Sequence, residues 1–319
     1  MKLLLKKLSY ILLMLLLISI ISFVAIHAAP NSFFGAGELN PNMTKEAIAK
    51  LKAVYGLDKP LIEQYFDWIT NLVTFNFGIS FVSGVDVSSE ILKRLPVTLW
   101  MNMITLVSVF SLSLWLGIKA AMHFEGRVDY MIRQLSLLSF SMPSFYLALL
   151  FIIFFSIKLS LFPIAGLHSI EAKEGFANIL DMAWHLTLPI AVMIFVGLGS
   201  MIIYIRSLTL EILKSDYYTF ARSRGIGEGK LLRYYILPNL MPPVITLLGL
   251  SLPGLIGGSV ILESIFGIEG MGQLFYISAL SRDYPIIMGI LMITAFLTLL
   301  GNMVADLILL KLNPYMSRG

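Results

Sequence analysis

The stretch at 225–231, "GIGEGKL", places glycines and a lysine in the order a phosphate-binding loop uses. Such a loop needs four residues between its glycines and a Ser or Thr after the lysine to hold magnesium. Here Gly225 and Gly229 enclose three residues, Leu231 follows Lys230, and no apolar β-strand precedes the segment. ATP hydrolysis by this chain is therefore not expected. The four histidines, His27, His123, His168 and His185, show no HxxxH or other close ligand spacing, and read as packing or interface residues near span ends. There is no cysteine, which removes disulfides, thiolate catalysis and Cys-ligated metals. The acidic residues form no pair within one apolar run, as a proton relay would want. Glu263 and Asp306 are the carboxylates embedded near such runs; each could serve a pathway or be satisfied at a helix end by backbone or a neighbouring helix. No catalytic set, cofactor site or metal site is expected.

The elements around these residues are apolar. Of 319 residues, 58% are hydrophobic and 13% charged, about half the charge of a soluble globular domain. A membrane-crossing helix needs about 20 predominantly apolar residues. Six runs qualify: 8–29, 95–122, 134–157, 184–205, 237–262 and 284–310. The first has the basic start and small-residue end of a signal peptide, but its apolar run exceeds the 7–15 residues of a signal core, so a retained span is expected. Asp306 costs about 2.5–3.5 kcal/mol in the sixth run, which its many Leu, Ile, Phe and Val residues offset at about 0.3–0.6 each.

The basic residues orient the chain. With the N-terminus inside the cell, the inner segments hold fourteen of the 23 Lys and Arg residues and the two short outer loops only Lys158, Lys173 and Arg282. The other six fall in 30–94, a long outer segment to which the rule gives little weight. Both termini are then cytoplasmic. The same asymmetry accounts for the net charge of +4 without nucleic acid as a partner. The expected organisation is 1–94, a first span plus a helical outer loop, and 95–319, a core of five spans with a cytoplasmic loop at 207–236. Within the outer loop, a helix capped at Asn42 or Thr44 and stopped at Gly56 is expected. A second, starting at Pro60, would align Leu61, Tyr65, Trp68 and Leu72 on one face and lie at the membrane interface.

Two stretches suggest a path with a handle. In "LLGLSLPGLIGGSVILESIF", Pro253, Gly254, Gly257, Gly258 and Glu263 are candidate gate or pathway residues. Gly254 and Gly258 form GxxxG, which permits close helix approach, and proline with glycine permits a kink or unwinding inside protein. Either tight packing or a bending gate satisfies the pattern. In "DYYTFARSRG", Ser215 and Asp216 are N-cap candidates and Gly225 is a natural stop. Tyr217, Phe220, Ala221 and Arg224 fall near one face, with Ala221 leaving room for close approach. Such a helix could dock in a partner's groove or rest on the lipid surface.

This second stretch resembles the cytoplasmic signature of binding-protein-dependent ABC importer permeases, EAA-x3-G-x9-IxLP. Anchored on Gly225, the second Ala (Ala221), the Gly and the Leu237–Pro238 pair match, while Thr219, Phe220 and Tyr235 depart. The departures are similar to the D-Y-x-x-T-A-R-A-K-G form of the dipeptide/oligopeptide/nickel branch. Further similarity runs along nearly the whole chain: "YGLDKPLIEQYFDWI", "ILKRLPVTLW", "LSFSMPSFYLALL", "LTLPIAVM" and "GGSVILESIFGIEGMGQLFYISALSRDYPII", with Glu269 where that branch usually has Pro. The resemblance implies an all-α polytopic inner-membrane protein of the type I importer fold, the subunit with the long first periplasmic loop. It implies import of dipeptides or oligopeptides, or alternatively of nickel or a metal chelate. It implies three kinds of partner besides lipid: a second, homologous permease, two cytoplasmic ATPase subunits that carry the ATP and magnesium, and an extracytoplasmic solute-binding protein. Asp216, Tyr217, Phe220, Ala221, Arg222, Arg224 and Gly225 would form the ATPase-coupling helix, with Ala221 and Gly225 packing closely and the arginines making polar contacts. Leu237 and Pro238 would join the loop to the fifth span. An ion-coupled secondary carrier is the alternative from another class; it would need paired ionisable groups in the spans.

Overall fold

The computed structural model describes residues 2–28, 56, 58–171, 174–252, 254–257 and 259–312. Among these the fold is all-α, with one isolated bridge between Ile79 and Asp86 and no strands. In chain order the helices are α1 (Lys2–Ala28), α2 (Leu61–Val73), α3 (Val87–Met122), α4 (Arg127–Ser141), α5 (Ser144–Phe151), α6 (Phe176–Leu213), α7 (Asp216–Ser223), α8 (Glu228–Leu231), α9 (Leu237–Ser251), α10 (Gly254–Gly257), α11 (Val260–Ile265), α12 (Met271–Ser281) and α13 (Tyr284–Leu312). Two π-helical turns, Ile152–Lys158 and Leu232–Ile236, continue α5 and precede α9. The expected helix at 42–55 lies outside the described residues.

Five stretches are long and apolar enough to cross a membrane, and α4 with the α5 segment makes a sixth if the bent pair is one span. Four differ from the sequence expectation, the second because α3 already starts at Val87. The third run bends by 105° between Ser141 and Ser144. Met142 precedes Pro143 and takes the extended conformation (φ −91°, ψ 128°), which proline imposes on its neighbour by steric clash. The fourth, α6, has 38 residues rather than the expected 22. At 1.5 Å per residue it is about 57 Å long, well beyond a hydrocarbon core of about 30 Å. The fifth starts earlier, at Glu228, and stops at Ser251 rather than 262. The sequence there is Leu252-Pro253-Gly254, and proline supplies no N–H to extend the helical ladder.

By compactness the chain divides into Met1–Thr98 with Glu269–Leu300, and Leu99–Ile268 with Gly301–Gly319. Residues 269–300 belong to the first unit. In this unit α2 lies on α1. Tyr65 Oη meets Ser19 Oγ at 2.9 Å, His27 Nε2 meets Gln64 Oε1 at 3.2 Å, and Phe23 packs its ring against Tyr65 and Trp68. Tyr65, Trp68 and Leu72 share the half-buried face as expected, whereas Leu61 is exposed. The turn before α3 is tied to the start of α13. Buried Asp283 accepts hydrogen bonds from Ser80 Oγ and, at 3.0 Å, from Phe81 N. Asp86 caps α3 by accepting from Ser88 Oγ and Ser89 N. Val87 then fits over Gly289, where a Cβ would come within 2.7 Å of it.

The second unit is built on α3, α4, α6 and α9. Hydrocarbon is as apolar as leucine, so helices in a membrane associate by close packing and hydrogen bonds rather than by escape from water. Small residues provide that closeness. A Cβ at Gly117 would come within 2.7 Å of Ile205, one at Gly197 within 2.8 Å of Val109, and one at Gly199 within 2.7 Å of the Ser136 carbonyl.

Candidate functional site

The segment between α6 and α9 folds as two short helices, α7 and α8, joined by a glycine-rich turn. Ser215 takes the N-cap position of α7 with extended backbone, but its hydroxyl donates back to the Ile212 carbonyl at 2.6 Å and does not cap. Asp216 sits in the first turn, where a carboxylate complements the helix dipole. The helix ends at Ser223, and Gly225 reverses the chain at φ +75°, a conformation that costs a residue with a Cβ roughly 1–2 kcal/mol. Nothing lies within 4 Å of a Cβ built on Gly225. Within this chain the glycine therefore supplies backbone freedom.

The two faces of α7 differ from the expected arrangement. Ala221 (2% exposed) and Tyr218 (7%) turn inward, into a core with Ile212, Leu231, Ile236 and Leu240. Ala221 thus leaves the face on which the sequence placed it, because its small side chain is what lets α7 lie against that core. Tyr217 (43%) and Phe220 (58%) turn outward. The Arg224 guanidinium stacks 4.5 Å from the Phe220 ring centre, and Arg222 is exposed. Beside this face Gly225, Gly227, Gly229, Lys230, Arg233 and Tyr234 line an open cleft. The "GIGEGKL" stretch is a turn leading into the four-residue α8. Leu237 opens α9, with Pro238 in its first turn, directly after the π-helical turn.

A groove of about 620 Å³ lies among α3, α6 and the α9–α10 break. Its polar groups are Asn102, Thr105, Ser200, Tyr204 and Ser251; Met193 and Met201 add thioethers, and Gly197 and Gly254 line it. None of its lining residues is charged. The break is held open by a specific bond: Asn102 Nδ2 donates to the Leu255 carbonyl at 2.7 Å, satisfying a backbone oxygen that a continuous helix would have used. A Cβ on Gly254 would meet nothing within 4 Å, so the GxxxG reading of tight packing does not hold at this glycine. Gly257 ends α10, and Pro253 and Gly258 lie outside the described residues. Glu263 is fully buried in the first turn of α11 and does not line the groove.

The sequence reading missed other groups. His168 and His185, seventeen positions apart in sequence, converge on buried Asp181, their Nδ1 atoms 3.9 and 3.8 Å from its Oδ2. Ser169 donates to the same carboxylate from its N (2.7 Å) and Oγ (2.5 Å). Asp306 is exposed, whereas Asp129 is fully buried against Arg206. The signal for that pair was weak, since both residues stand at the edges of apolar runs. Gly117, Gly197 and Gly199 stand inside such runs and could have been singled out by position.

Comparison with known proteins bears on the whole chain. Residues 113–318 match the family described as binding-protein-dependent transport system inner membrane component. Residues 1–102 match that family's N-terminal membrane component. The oligopeptide transport system permease protein AppB of Bacillus subtilis (strain 168) is 35% identical over 301 residues, covering 94% of each chain. The dipeptide transport system permease protein DppB of Lactococcus lactis subsp. cremoris (strain MG1363) is 32% identical over 314 residues, 98% of each. The di/tripeptide transport system permease protein DppB of Pseudomonas aeruginosa (strain UCBPP-PA14) is 32% identical over 317 residues, 93% of each. With a short helix set between two spans and matches over nearly its full length, the chain belongs to the family of binding-protein-dependent ABC transport system inner-membrane components.

Proposed function

We propose that this chain is the non-catalytic permease subunit of an ATP-driven importer of dipeptides or oligopeptides in a bacterial cytoplasmic membrane. Both termini and α7 face the cytoplasm in this reading, in accord with the basic residues around them. The observation that carries it is the division of α7: Tyr218 and Ala221 anchor it to its own spans, and Tyr217, Phe220, Arg222 and Arg224 stay free for a partner. Aromatic and Arg groups on a rigid element are what protein interfaces favour. The partner is one of two ATPase subunits, which hold the ATP and magnesium. A second permease completes the path, and an extracytoplasmic binding protein delivers the solute.

The neutral groove is this chain's share of the path, with Gly254 at its flexible end. Amide, hydroxyl and thioether groups can follow a peptide backbone without selecting side-chain charge. The peptide names of the relatives support this solute class. The test is reconstitution of the chain with its cognate partners in vesicles, followed by uptake of labelled peptides and of Ni²⁺. ATP-dependent peptide uptake is expected. Uptake of Ni²⁺ but not peptides would establish the nickel alternative, and uptake by this chain alone without ATP would establish a secondary carrier.

A further inference from the structure

Asp129 and Arg206 have no part in the reading above, yet they form an ion pair whose carboxylate is fully enclosed. Asp129, in the first turn of α4, is fully buried. Its carboxylate accepts from Arg206 Nε at 2.6 Å and Nη2 at 2.7 Å, a two-pronged fork. Glu125 N donates to Oδ2 at 3.1 Å, and Arg133 Nε stands 3.6 Å from the same oxygen. The Arg206 guanidinium also lies 5.5 Å from the centre of the Phe124 ring. The fork thus gathers the α3–α4 turn, the start of α4 and the lower shaft of α6 at one point, about two turns before α6 ends at Leu213.

Burying two charges is expensive, and apolar residues of similar volume would hold two helices at least as well. A bidentate fork adds something they lack, a fixed orientation and register. A second attachment lies further along α4. Ser139 Oγ donates to the Phe195 carbonyl, and Gly199 brings α6 so close that a Cβ there would meet Phe140 N at 2.9 Å. Helix α4 is therefore pinned to α6 near both of its ends, and immediately beyond the second pin it breaks by 105° into α5.

We infer that Asp129 and Arg206 are a positioning pair that makes α4 and α6 a single rigid lever, carrying displacement of α7 to the break at Met142–Pro143. This rests on the proposed role of α7 as the docking helix. The chain has no native cysteine, so cysteines placed at Ser139 and Val196, whose carbonyl lies 3.5 Å from Ser139 Oγ, can be joined by a short bifunctional thiol reagent in the reconstituted complex. A rigid lever keeps ATP-dependent uptake within about twofold of the unjoined protein. A loss of roughly tenfold or more, reversed by cleaving the reagent, would show that α4 and α6 must slide past each other and would overturn the inference. In Asp129→Asn and Arg206→Lys the complex should still co-purify, while ATP consumed per peptide moved rises about fivefold or more, a readout that lowered stability alone does not shift. An unchanged ratio in both variants would equally overturn the inference. Absence of ATP-dependent uptake in the parent complex would instead overturn the docking-helix reading.

Discussion

Helices α2 and α7 are both short and amphipathic, and each lies on a longer helix, but they are attached in different ways. α7 sinks Ala221 and Tyr218 into a core shared with α6 and α9, leaving a mixed outer face of aromatic rings and arginines. α2 has no buried residue; it leans on α1 through half-buried Tyr65 and Trp68, and its exposed side carries the large apolar Ile62 and Phe66 beside Glu63 and Asp67. In the proposed function, a helix anchored by an alanine follows the movement of the spans beneath it and offers directional contacts to a partner. A helix resting on ring contacts, with large apolar side chains on its outer surface, suits a lipid boundary. Attachment, not amphipathicity, separates a handle from a float.

The largest effect should come from breaking that attachment. Ala221→Trp overpacks a closed site, at about 1–3 kcal/mol, and should both lower the melting temperature in detergent and abolish ATPase co-purification. Next, Phe220→Ala removes an outward ring, which at a contact centre is worth about 1–2 kcal/mol or more. ATPase affinity should fall at least about tenfold with the melting temperature unchanged, whereas Phe66→Ala on α2 should leave ATPase affinity untouched. If Phe66→Ala weakened ATPase binding as much as Phe220→Ala, the contrast between the helices would be wrong.

A smaller effect separates the roles of Gly225. Gly225→Ala should cost roughly 1 kcal/mol through its positive φ, and Gly225→Asn less, because asparagine tolerates that region. Equal losses from the two would point to a contact made by bulk, with the partner pressed against this turn. The smallest effect belongs to the start of α2. Lys59 Nζ donates to Asp67 Oδ2 at 2.6 Å, and this hydrogen bond raises the Lys59 pKa above its ordinary 10.5. Any stability this exposed pair adds is complete below that ordinary value and is lost as pH rises through the raised one. Between pH 6 and 9, Lys59→Met should therefore melt with the same pH dependence as the unmodified protein.

The segment at 215–225 was legible because its signals are local: a polar stretch between apolar runs, an N-cap serine position, and Gly225 where the backbone turns left-handed. What could not be read was the inward turn of Ala221, since the alanine's partners, Ile212, Leu231 and Ile236, come from three separate elements. The spans were legible by length and hydropathy, but their breaks were displaced. Pro143 bends a run that composition alone carries straight through, and the Asn102 bond to Leu255 depends on a pairing 153 residues apart. Buried Asp129 escaped for the same reason: a charge at the edge of an apolar run looks solvated until the arginine that receives it is brought alongside by the fold.

The most direct measurement of the central claim uses a single cysteine at Phe220 in the otherwise cysteine-free chain, carrying a short photo-activated cross-linker in membrane vesicles that contain the whole complex. The account predicts an adduct with the ATPase subunit, and none when the same probe stands at Phe66. Labelling of position 220 only from the extracytoplasmic side, or an adduct at Phe66 alone, would contradict it.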